Sequence, residues 1–192
     1  MAFNNQEIEL KLPLTKSQHQ RIRKKLQKIA KFVKFSRHSD DYYTPTQNSF
    51  LKHKYPYEWL TLRRRDGKVI LNYKHWYPEG KKYTTHCDEY QTEVSVGSQL
   101  EKILKALRFK KIVTVEKKRE MFTYNDIFEI GLDEVKDLGY FIEVECMKDL
   151  GGVKRSWEEI VKFTHNLGLK RTKTIPGGYG LMLISKKGLL KR

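Results

Sequence analysis

Like-charged side chains recur two residues apart in four separate segments of this 192-residue chain. The first segment is Glu7-Ile8-Glu9-Leu10-Lys11-Leu12, in which charged and aliphatic residues alternate without a break. The other segments carry the pairs Arg63/Arg65, Lys117/Arg119 and Glu143/Glu145. Residues two apart point to the same face of a β-strand. Each segment therefore predicts a strand with one charged face, and in the first and last segments the opposite face is aliphatic.

The direction of the charged faces separates two architectures. In an open β-sandwich the charges would face water, and each pair taken alone favours that arrangement. Three amphipathic helices are also predicted, each beginning at a Ser or Thr followed three residues later by Glu or Gln, at Thr15, Ser98 and Ser156. If these helices cover the aliphatic faces of the strands, the charges must point inward. A wet interior that carries both signs of charge requires a closed barrel.

The remaining chain is predicted to be mostly antiparallel strand. Asp66-Gly67 is a strong hairpin signal, and Asn125-Asp126 offers a second tight turn. Strands are predicted over 58–66, 68–76, 83–94, 114–124, 127–133 and 140–147, with a last strand over Gly180–Ser185 and a loop over 48–56. No linker or internal repeat divides the chain. We therefore expect one α+β domain over residues 1–192.

Composition narrows the class of partner. The chain has 39 Lys and Arg against 23 Asp and Glu, a formal net charge of +16. This surplus predicts an anionic partner, such as nucleic acid, an anionic membrane or a polyphosphate. The alternative is that the surplus lysines form only a solvated surface without a partner. Two separated cysteines indicate neither a disulfide framework nor a zinc site. Without an apolar run of membrane length or a signal-peptide pattern, the predicted location is cytoplasmic.

A lumen of mixed charge predicts a particular ligand chemistry. Basic side chains would hold a multiply charged anion, and clustered carboxylates would hold hard divalent cations. Lys74 lies in an otherwise apolar and aromatic strand, and Glu89 and Glu93 share one face of another. Such a lining suits a metal-bound polyphosphate. For each of these residues, the alternative to ligand binding is a structural salt bridge inside the lumen.

These residues resemble the CYTH family, the triphosphate tunnel metalloenzymes, over most of the chain. Residues 7–11 read ExExK, and Lys117-Lys118-Arg119 matches the K-x-R motif. Asp41-Tyr42-Tyr43 resembles the early D-x-Y-F segment, and Arg63 through Lys74 resembles an Arg-rich hairpin that ends in a lysine. The most specific block runs from Leu132 to Glu145 and reads LDEVKDLGYFIEVE, close to L-D-x-V-x-x-L-G-x-F-x-E-x-E.

The chain departs from the family pattern at its L-R-x-R motif. Counted from Gly67 and Lys74, the first arginine should stand at position 61, which is Thr61. Either Arg65 supplies the missing cation, or the register is shifted and Arg63 and Arg65 form the pair. Arg63 is used in both registers.

The resemblance implies a closed eight-stranded antiparallel barrel with helices packed outside, which binds a triphosphate together with Mg²⁺ or Mn²⁺. By position in the motifs it implies these phosphate-binding residues: Lys11, Arg63, Arg65, Lys74, Lys117 and Arg119. It implies these metal ligands: Glu7, Glu9, Glu143 and Glu145. Glu7, Asp133 and Glu89 would have catalytic or supporting roles, with Glu89 the weaker candidate.

The implied activity is that of a class IV adenylyl cyclase, which converts ATP to cyclic AMP and diphosphate. The alternative is a triphosphatase that hydrolyses thiamine triphosphate, inorganic triphosphate or a nucleoside triphosphate. A non-enzymatic alternative is a nucleic-acid or polyphosphate-binding protein, with a basic and aromatic surface patch formed by Lys52, Lys54, Tyr55, Tyr57 and Trp59. No recognised motif indicates nucleic acid, no membrane partner is expected, and a homodimer stays open.

Overall fold

The structure, a computed structural model, describes residues 6–170, 174–175 and 177–190. The strands are β1 (Gln6–Glu7), β2 (Glu9–Leu14), β3 (Lys31–Pro45), β4 (Glu58–Arg65), β5 (Lys68–Tyr77), β6 (His86–Glu93), β7 (Phe109–Tyr124), β8 (Phe128–Val135) and β9 (Gly139–Cys146). The helices are α1 (Lys16–Ile29), α2 (Gly97–Ala106), α3 (Val153–Asn166) and α4 (Gly178–Lys186). A single 3₁₀ turn over Phe50–Lys52 interrupts the predicted loop.

All nine strands form one antiparallel sheet in the order β1-β6-β5-β4-β3-β7-β8-β9-β2. Its two ends, β1 and β2, are consecutive in the chain and are separated only by Ile8. β1 pairs with β6 and β2 pairs with β9, so one chain segment connects both ends of the sheet. The sheet is therefore a nearly closed barrel, and counting β1 and β2 as one interrupted strand gives the eight strands predicted.

The aliphatic faces of the strands point outward beneath helices, as predicted. Helices α1 and α3 pack on β2, β8 and β9, where Leu10, Leu132 and Ile142 are buried. Helix α2 covers Tyr43 and Leu62. Because these outward positions are buried under helices, the alternating charged residues face the interior.

The capping signals predicted one helix start correctly and two wrongly. Thr15 caps α1, accepting from the Gln18 amide at 3.1 Å while the Gln18 side chain accepts from the Thr15 amide at 2.8 Å. Helix α2 begins at Gly97 and α3 at Val153, so Ser98 and Ser156 lie inside these helices. Before α3, Asp149 Oδ1 accepts from the amides of Gly151 and Gly152, which fixes the earlier start.

The predicted last strand over Gly180–Ser185 is wrong, because these residues belong to α4. Its buried residues, Tyr179, Gly180, Leu181, Leu183 and Ile184, are nearly consecutive rather than alternating, as expected of a helix that is buried on most sides. The helix lies across one end of the barrel, where it packs against inward-facing Trp59 and the strands beside it. Both hairpin turns are confirmed, with positive φ at Asp66-Gly67 and at Asn125-Asp126. The described residues contain no helix long and apolar enough to cross a membrane.

Candidate active site in the barrel lumen

The barrel encloses a cavity of about 270 Å³ whose lining carries both signs of charge. The predicted site residues that line this cavity are Glu7, Glu9, Lys11, Arg63, Arg65, Lys74, Glu89, Lys117, Arg119, Glu143 and Glu145. Asp133 is fully buried behind Arg119 rather than in the lining. The structure thus brings to one cavity residues that are far apart in the sequence.

One group of these side chains is internally paired, and we call it the inner cluster: Lys11, Lys117, Arg119, Asp133, Glu143 and Tyr179. Arg119 donates to both oxygens of Asp133 at 2.7 Å and to Glu143 at 3.0 Å. Lys11 lies 2.8 Å from Glu143. Tyr179, from α4, donates to Asp133 at 2.8 Å, so the inner cluster lies at the end of the barrel that α4 covers.

Burial and charge pairing oppose each other in the inner cluster, and the outcome differs between Asp133 and Lys117. Burial alone would raise the pKa of Asp133, but Arg119 and Lys117 outweigh it and lower that pKa to about 2. Burial, reinforced by Arg119, lowers the pKa of Lys117 to about 8, although Asp133 is only 3.4 Å away. Most charges of the cluster are thus compensated by a partner within it. Lys117 loses its proton at a lower pH than an ordinary lysine does.

A glycine makes room for the Arg119 fork. A Cβ atom at Gly131 would lie 2.8 Å from the guanidinium carbon of Arg119, closer than such atoms normally approach. Gly131 faces Met121 on the neighbouring strand, one inward position from the Arg119–Asp133 pair. The absence of a side chain at position 131 therefore lets Arg119 lie against β8 and reach both of its carboxylate partners.

A second group of ion pairs lies on the β4, β5 and β6 side of the lumen. Lys74 pairs with Glu7 and lies 3.7 Å from Glu89. Arg63 lies 3.1 Å from Glu89. Burial would raise the pKa of Glu89, but Lys74 and Arg63 together lower it to about 2. Glu89, the weaker sequence candidate, is therefore an ionised member of the cavity.

Three acidic residues form a row across adjacent strands, and we call Glu9, Glu145 and Glu129 the carboxylate row. Glu145 is directly paired in register with Glu9 on one side and with Glu129 on the other. Glu9 contacts Lys11 at 2.9 Å, whereas the side chains of Glu145 and Glu129 make no hydrogen bond or ion pair with any described residue. Burial raises the pKa of Glu145 to about 8, because it and the negative charge of Glu9 outweigh the positive charge of Lys74, which acts in the opposite direction.

The strand register brings both predicted arginines of β4 into the lumen. Thr61, Arg63 and Arg65 share the inward face, and Thr61 is buried beside Asn72. The Nε atoms of Arg63 and Arg65 are buried without a hydrogen-bond partner among the described residues. Both arginines therefore keep an unused hydrogen-bond donor in the lumen.

Sequence reasoning missed several lumen residues. Asp41, quoted from the D-x-Y-F resemblance without a site role, points outward and accepts from Arg64 at 2.7 Å, whereas Asp40 faces the cavity with one oxygen unpartnered. Alternation along β3 would have indicated Asp40, and the spacing of Glu129 from Asp133 would have indicated Glu129. Tyr179 carries no such signal, because α4 was expected to be a strand.

The surface patch predicted for nucleic acid loses one member. Trp59 is only 5% exposed, because it faces the barrel interior beneath α4. Lys52 and Lys54 are exposed, Tyr55 and Tyr57 are partly buried, and Lys54 Nζ lies 5.5 Å from the centroid of the Tyr55 ring. Binding of nucleic acid stays a prediction.

The donor set of the cavity fits a hard divalent cation, since carboxylate oxygens are the ligands that Mg²⁺ and Mn²⁺ prefer. No three His, Cys, Asp or Glu side chains among residues 6–170, 174–175 and 177–190 already surround one ion position. Lys11 and Arg119 hold Glu143, and Lys11 also holds Glu9. A cation would therefore have to replace these ammonium and guanidinium partners or use the unpaired Glu145.

Comparison with known proteins identifies the family. The model of the CYTH domain matches residues 5–179, so this chain belongs to the CYTH domain family. A related protein of Methanocaldococcus jannaschii, provisionally named an adenylate cyclase, is 26% identical over 175 residues, which cover 90% of this chain and 95% of that protein.

Solved structures share the fold. A Pyrococcus horikoshii OT3 protein superposes with a TM-score of 0.73 at 27% identity, covering 94% of this chain and 99% of the other. A Hippeastrum protein, described as having a dominant triphosphatase activity, gives a TM-score of 0.65 at 16% identity, with 95% of each chain covered. The second likeness concerns the fold alone.

Proposed function

We propose that this protein is a divalent-metal-dependent enzyme that hydrolyses a triphosphate bound in the barrel lumen. The observation that carries this proposal is the lining of a single cavity by lysines and arginines together with several acidic side chains. Chemistry on a polyphosphate needs both kinds of group, because the anion must be held and its charge neutralised in the transition state.

Binding of the anion would proceed by exchange of partners. In the ligand-free protein, Lys74 and Arg63 are paired with lumen carboxylates. A triphosphate oxygen offers these cations a stronger, multiply charged partner, and Arg63 and Arg65 each have an unused Nε donor for it. The same exchange would release Glu7 and Glu89, so the arrival of the anion would increase the negative charge available to a cation.

The carboxylates would hold the metal. Glu9, Glu143 and Glu145 lie on neighbouring strands β2 and β9, and Glu7 reaches the same cavity from β1. A bound divalent ion would neutralise phosphate charge and lower the pKa of a coordinated water. The side chains of this chain would orient the triphosphate, hold it in line with the attacking water and keep bulk solvent from the α4 end, which Tyr179 covers.

Hydrolysis requires only groups for phosphate, metal and water, all of which the lumen offers. Cyclisation of a nucleotide would require in addition a surface that orients the ribose, so that its 3′-hydroxyl attacks the α-phosphorus. Two observations favour cyclisation as the second candidate. The first is the adenylate cyclase name of the Methanocaldococcus relative. The second is the aromatic wall that Trp59 and Trp76 form at one end of the cavity.

A substrate panel tests the proposal. The protein is incubated with inorganic triphosphate, ATP, GTP and thiamine triphosphate, with Mg²⁺, with Mn²⁺ and with a chelator. We expect metal-dependent release of phosphate from at least one substrate. Formation of cyclic AMP and diphosphate from ATP would instead establish cyclisation, and no turnover of any substrate with either metal would reject an enzymatic function.

Variants test the proposed roles of the carboxylates. Glu9→Ala and Glu145→Ala should each reduce metal-dependent turnover by about 100-fold, because charge neutralisation is lost at the reacting phosphate. Glu134→Ala is the matched control, since Glu134 lies on the outer face of β8, half-exposed and 3.6 Å from Lys118. Full activity in both lumen variants would show that these carboxylates have only structural roles.

A further inference from the structure

The end of α1 and the start of β3 expose four large apolar side chains within seven residues. Ile29 and Val33 are 43% and 45% exposed, and Phe32 and Phe35 are each 52% exposed. We call these four residues the exposed apolar cluster. Single exposed apolar residues are normal on a protein surface, whereas a contiguous group of them marks an interaction site.

A β-bulge at the start of β3 produces this exposure. Residues three apart point to opposite faces of a regular strand. In β3 the pairing with β7 shifts by one residue after Phe32, which leaves Val33 without a partner in register. Phe32 is therefore paired with Phe122, and Phe35 is paired with the residue two positions away on β7, Glu120. Both phenylalanines thus lie on the outer face of the barrel.

Basic side chains surround the exposed apolar cluster. The chain has nine Lys and Arg, and no Asp or Glu, between positions 16 and 37. Among the described residues, acidic partners from other elements are found for two of these nine, Arg23 and Lys34. Lys28 and Lys31, which border the cluster, are exposed and form no ion pair with the described part of the chain. Much of the net positive charge of the protein is therefore concentrated beside its exposed apolar side chains.

This combination of side chains fits an anionic lipid surface. Apolar side chains enter the boundary between lipid headgroups and acyl chains, while neighbouring lysines contact the anionic headgroups. A second copy of this chain would bring the same uncompensated cations against one another. Single-stranded nucleic acid binds by stacking on aromatic rings, which Ile29 and Val33 do not offer. Charge complementarity and side-chain type therefore favour lipid over both of these partners.

We propose that the exposed apolar cluster docks this protein on an anionic lipid bilayer, with Lys28 and Lys31 against the headgroup phosphates. The expectation of no membrane partner rested on the lack of an apolar run of membrane length, which concerns spanning and not peripheral contact. The docked end of the barrel is the one away from α4, since Lys34 reaches Asp66 in the β4–β5 turn there. The inference does not depend on the proposed function.

Sedimentation with lipid vesicles tests this inference. The protein is mixed with vesicles of phosphatidylglycerol and phosphatidylcholine in equal amounts, or of phosphatidylcholine alone, and the bound fraction is measured. We expect binding to the mixed vesicles that is at least about tenfold stronger than binding to phosphatidylcholine. The double variant Phe32→Ser/Phe35→Ser should bind the mixed vesicles at least about tenfold more weakly than wild type. Its matched control, Ile103→Ser/Leu107→Ser, removes side chains that are 53% and 62% exposed on α2 and should bind like wild type.

A second pair of variants tests the charges without altering the apolar side chains. Lys28→Glu/Lys31→Glu should weaken binding to the mixed vesicles at least about tenfold. Lys102→Glu/Lys105→Glu makes the same change in net charge on exposed positions of α2 and should weaken it much less. Equal weakening by the two variants would show that net charge alone binds the vesicles, and would overturn the proposed docking surface.

Other outcomes also decide the matter. Absence of wild-type binding to the mixed vesicles, or unchanged binding by Phe32→Ser/Phe35→Ser, rejects the lipid partner. If this variant instead loses binding to a single-stranded oligonucleotide, or loses a dimer seen by light scattering, while wild type ignores vesicles, the surface serves nucleic acid or a second copy. Thermal melting verifies that each variant is folded. Any turnover of a soluble triphosphate should be unchanged, because these side chains lie outside the lumen.

Discussion

The inner cluster and the carboxylate row lie in the same cavity but differ in how their charges are compensated. In the inner cluster, Asp133 has Arg119, Lys117 and Tyr179 as partners. In the carboxylate row, Glu145 is flanked by two acids, its side chain has no hydrogen bond or ion pair among the described residues, and its pKa is raised to about 8. The comparison teaches that the first region compensates its charges with neighbouring side chains, whereas in the second burial favours the protonated form of Glu145.

The largest expected effect comes from breaking the inner cluster. Asp133→Ala would leave Arg119 and Lys117 buried with a carboxylate partner removed, and loss of one partner of a buried pair costs about 3–5 kcal/mol. We expect the free energy of unfolding, measured by urea denaturation, to fall by this amount. Glu134→Ala, at the next position but exposed, should change it by less than about 0.5 kcal/mol. Equal effects of the two substitutions would show that the inner cluster does not stabilise the barrel.

A smaller effect, with a defined pH dependence, is expected from Lys117. Its folded pKa of about 8 lies below its ordinary value of 10.5, so the unfolded chain binds this proton more tightly than the folded chain does. The contribution to stability therefore increases as the pH rises from 8 to 10.5. Lys117→Met should be more stable than wild type near pH 7, by roughly 2–3 kcal/mol. This advantage should vanish near pH 10.5, and a difference independent of pH would contradict the assignment.

The smallest effect is expected in the carboxylate row. The pKa of Glu145 is raised from its ordinary value of 4.5 to about 8, so between these pH values the unfolded chain has released the proton that the folded chain still holds. The stability of wild type should therefore fall as the pH rises from 4.5 to 8. In the absence of divalent metal, Glu145→Gln should become more stable than wild type progressively over this range and keep its full advantage, on the order of 1 kcal/mol, above pH 8. Near pH 4.5 the two proteins should be almost equally stable. Destabilisation by the substitution across this range would indicate an unrecognised cationic partner.

Much of the charged lining was predictable because strand alternation is a local property. Glu7, Glu9 and Lys11 share a face for the same reason that Arg63 and Arg65 do, and the outer helices determine which face that is. The partners within the lumen were not predictable in this way. The pairing of Arg119 with Asp133 and Glu143 depends on the strand register and on Gly131, neither of which a single segment reveals.

Two elements were missed for identifiable physical reasons. Strand β3 has polar residues at its inward positions Ser36, His38 and Asp40 and no regular alternation of apolar and polar residues in its sequence, so it was not predicted as a strand and Asp40 was overlooked. Helix α4 is short and its apolar residues are nearly consecutive, a pattern that strands and buried helices share. Only its packing across the end of the barrel distinguishes the two.

The interrupted first strand also has a consequence for how the protein folds. Residues 6–14 leave the ribosome before the strands with which they pair, because β1 has its partner in β6 and β2 has its partner in β9. Closure must therefore wait until β9 has been synthesised, and such distant contacts make folding slow. Until then Glu7, Glu9 and Lys11 are exposed on a nascent chain. We therefore expect affinity for the anion and the metal to be acquired in the last step of folding, after translation of most of the sequence.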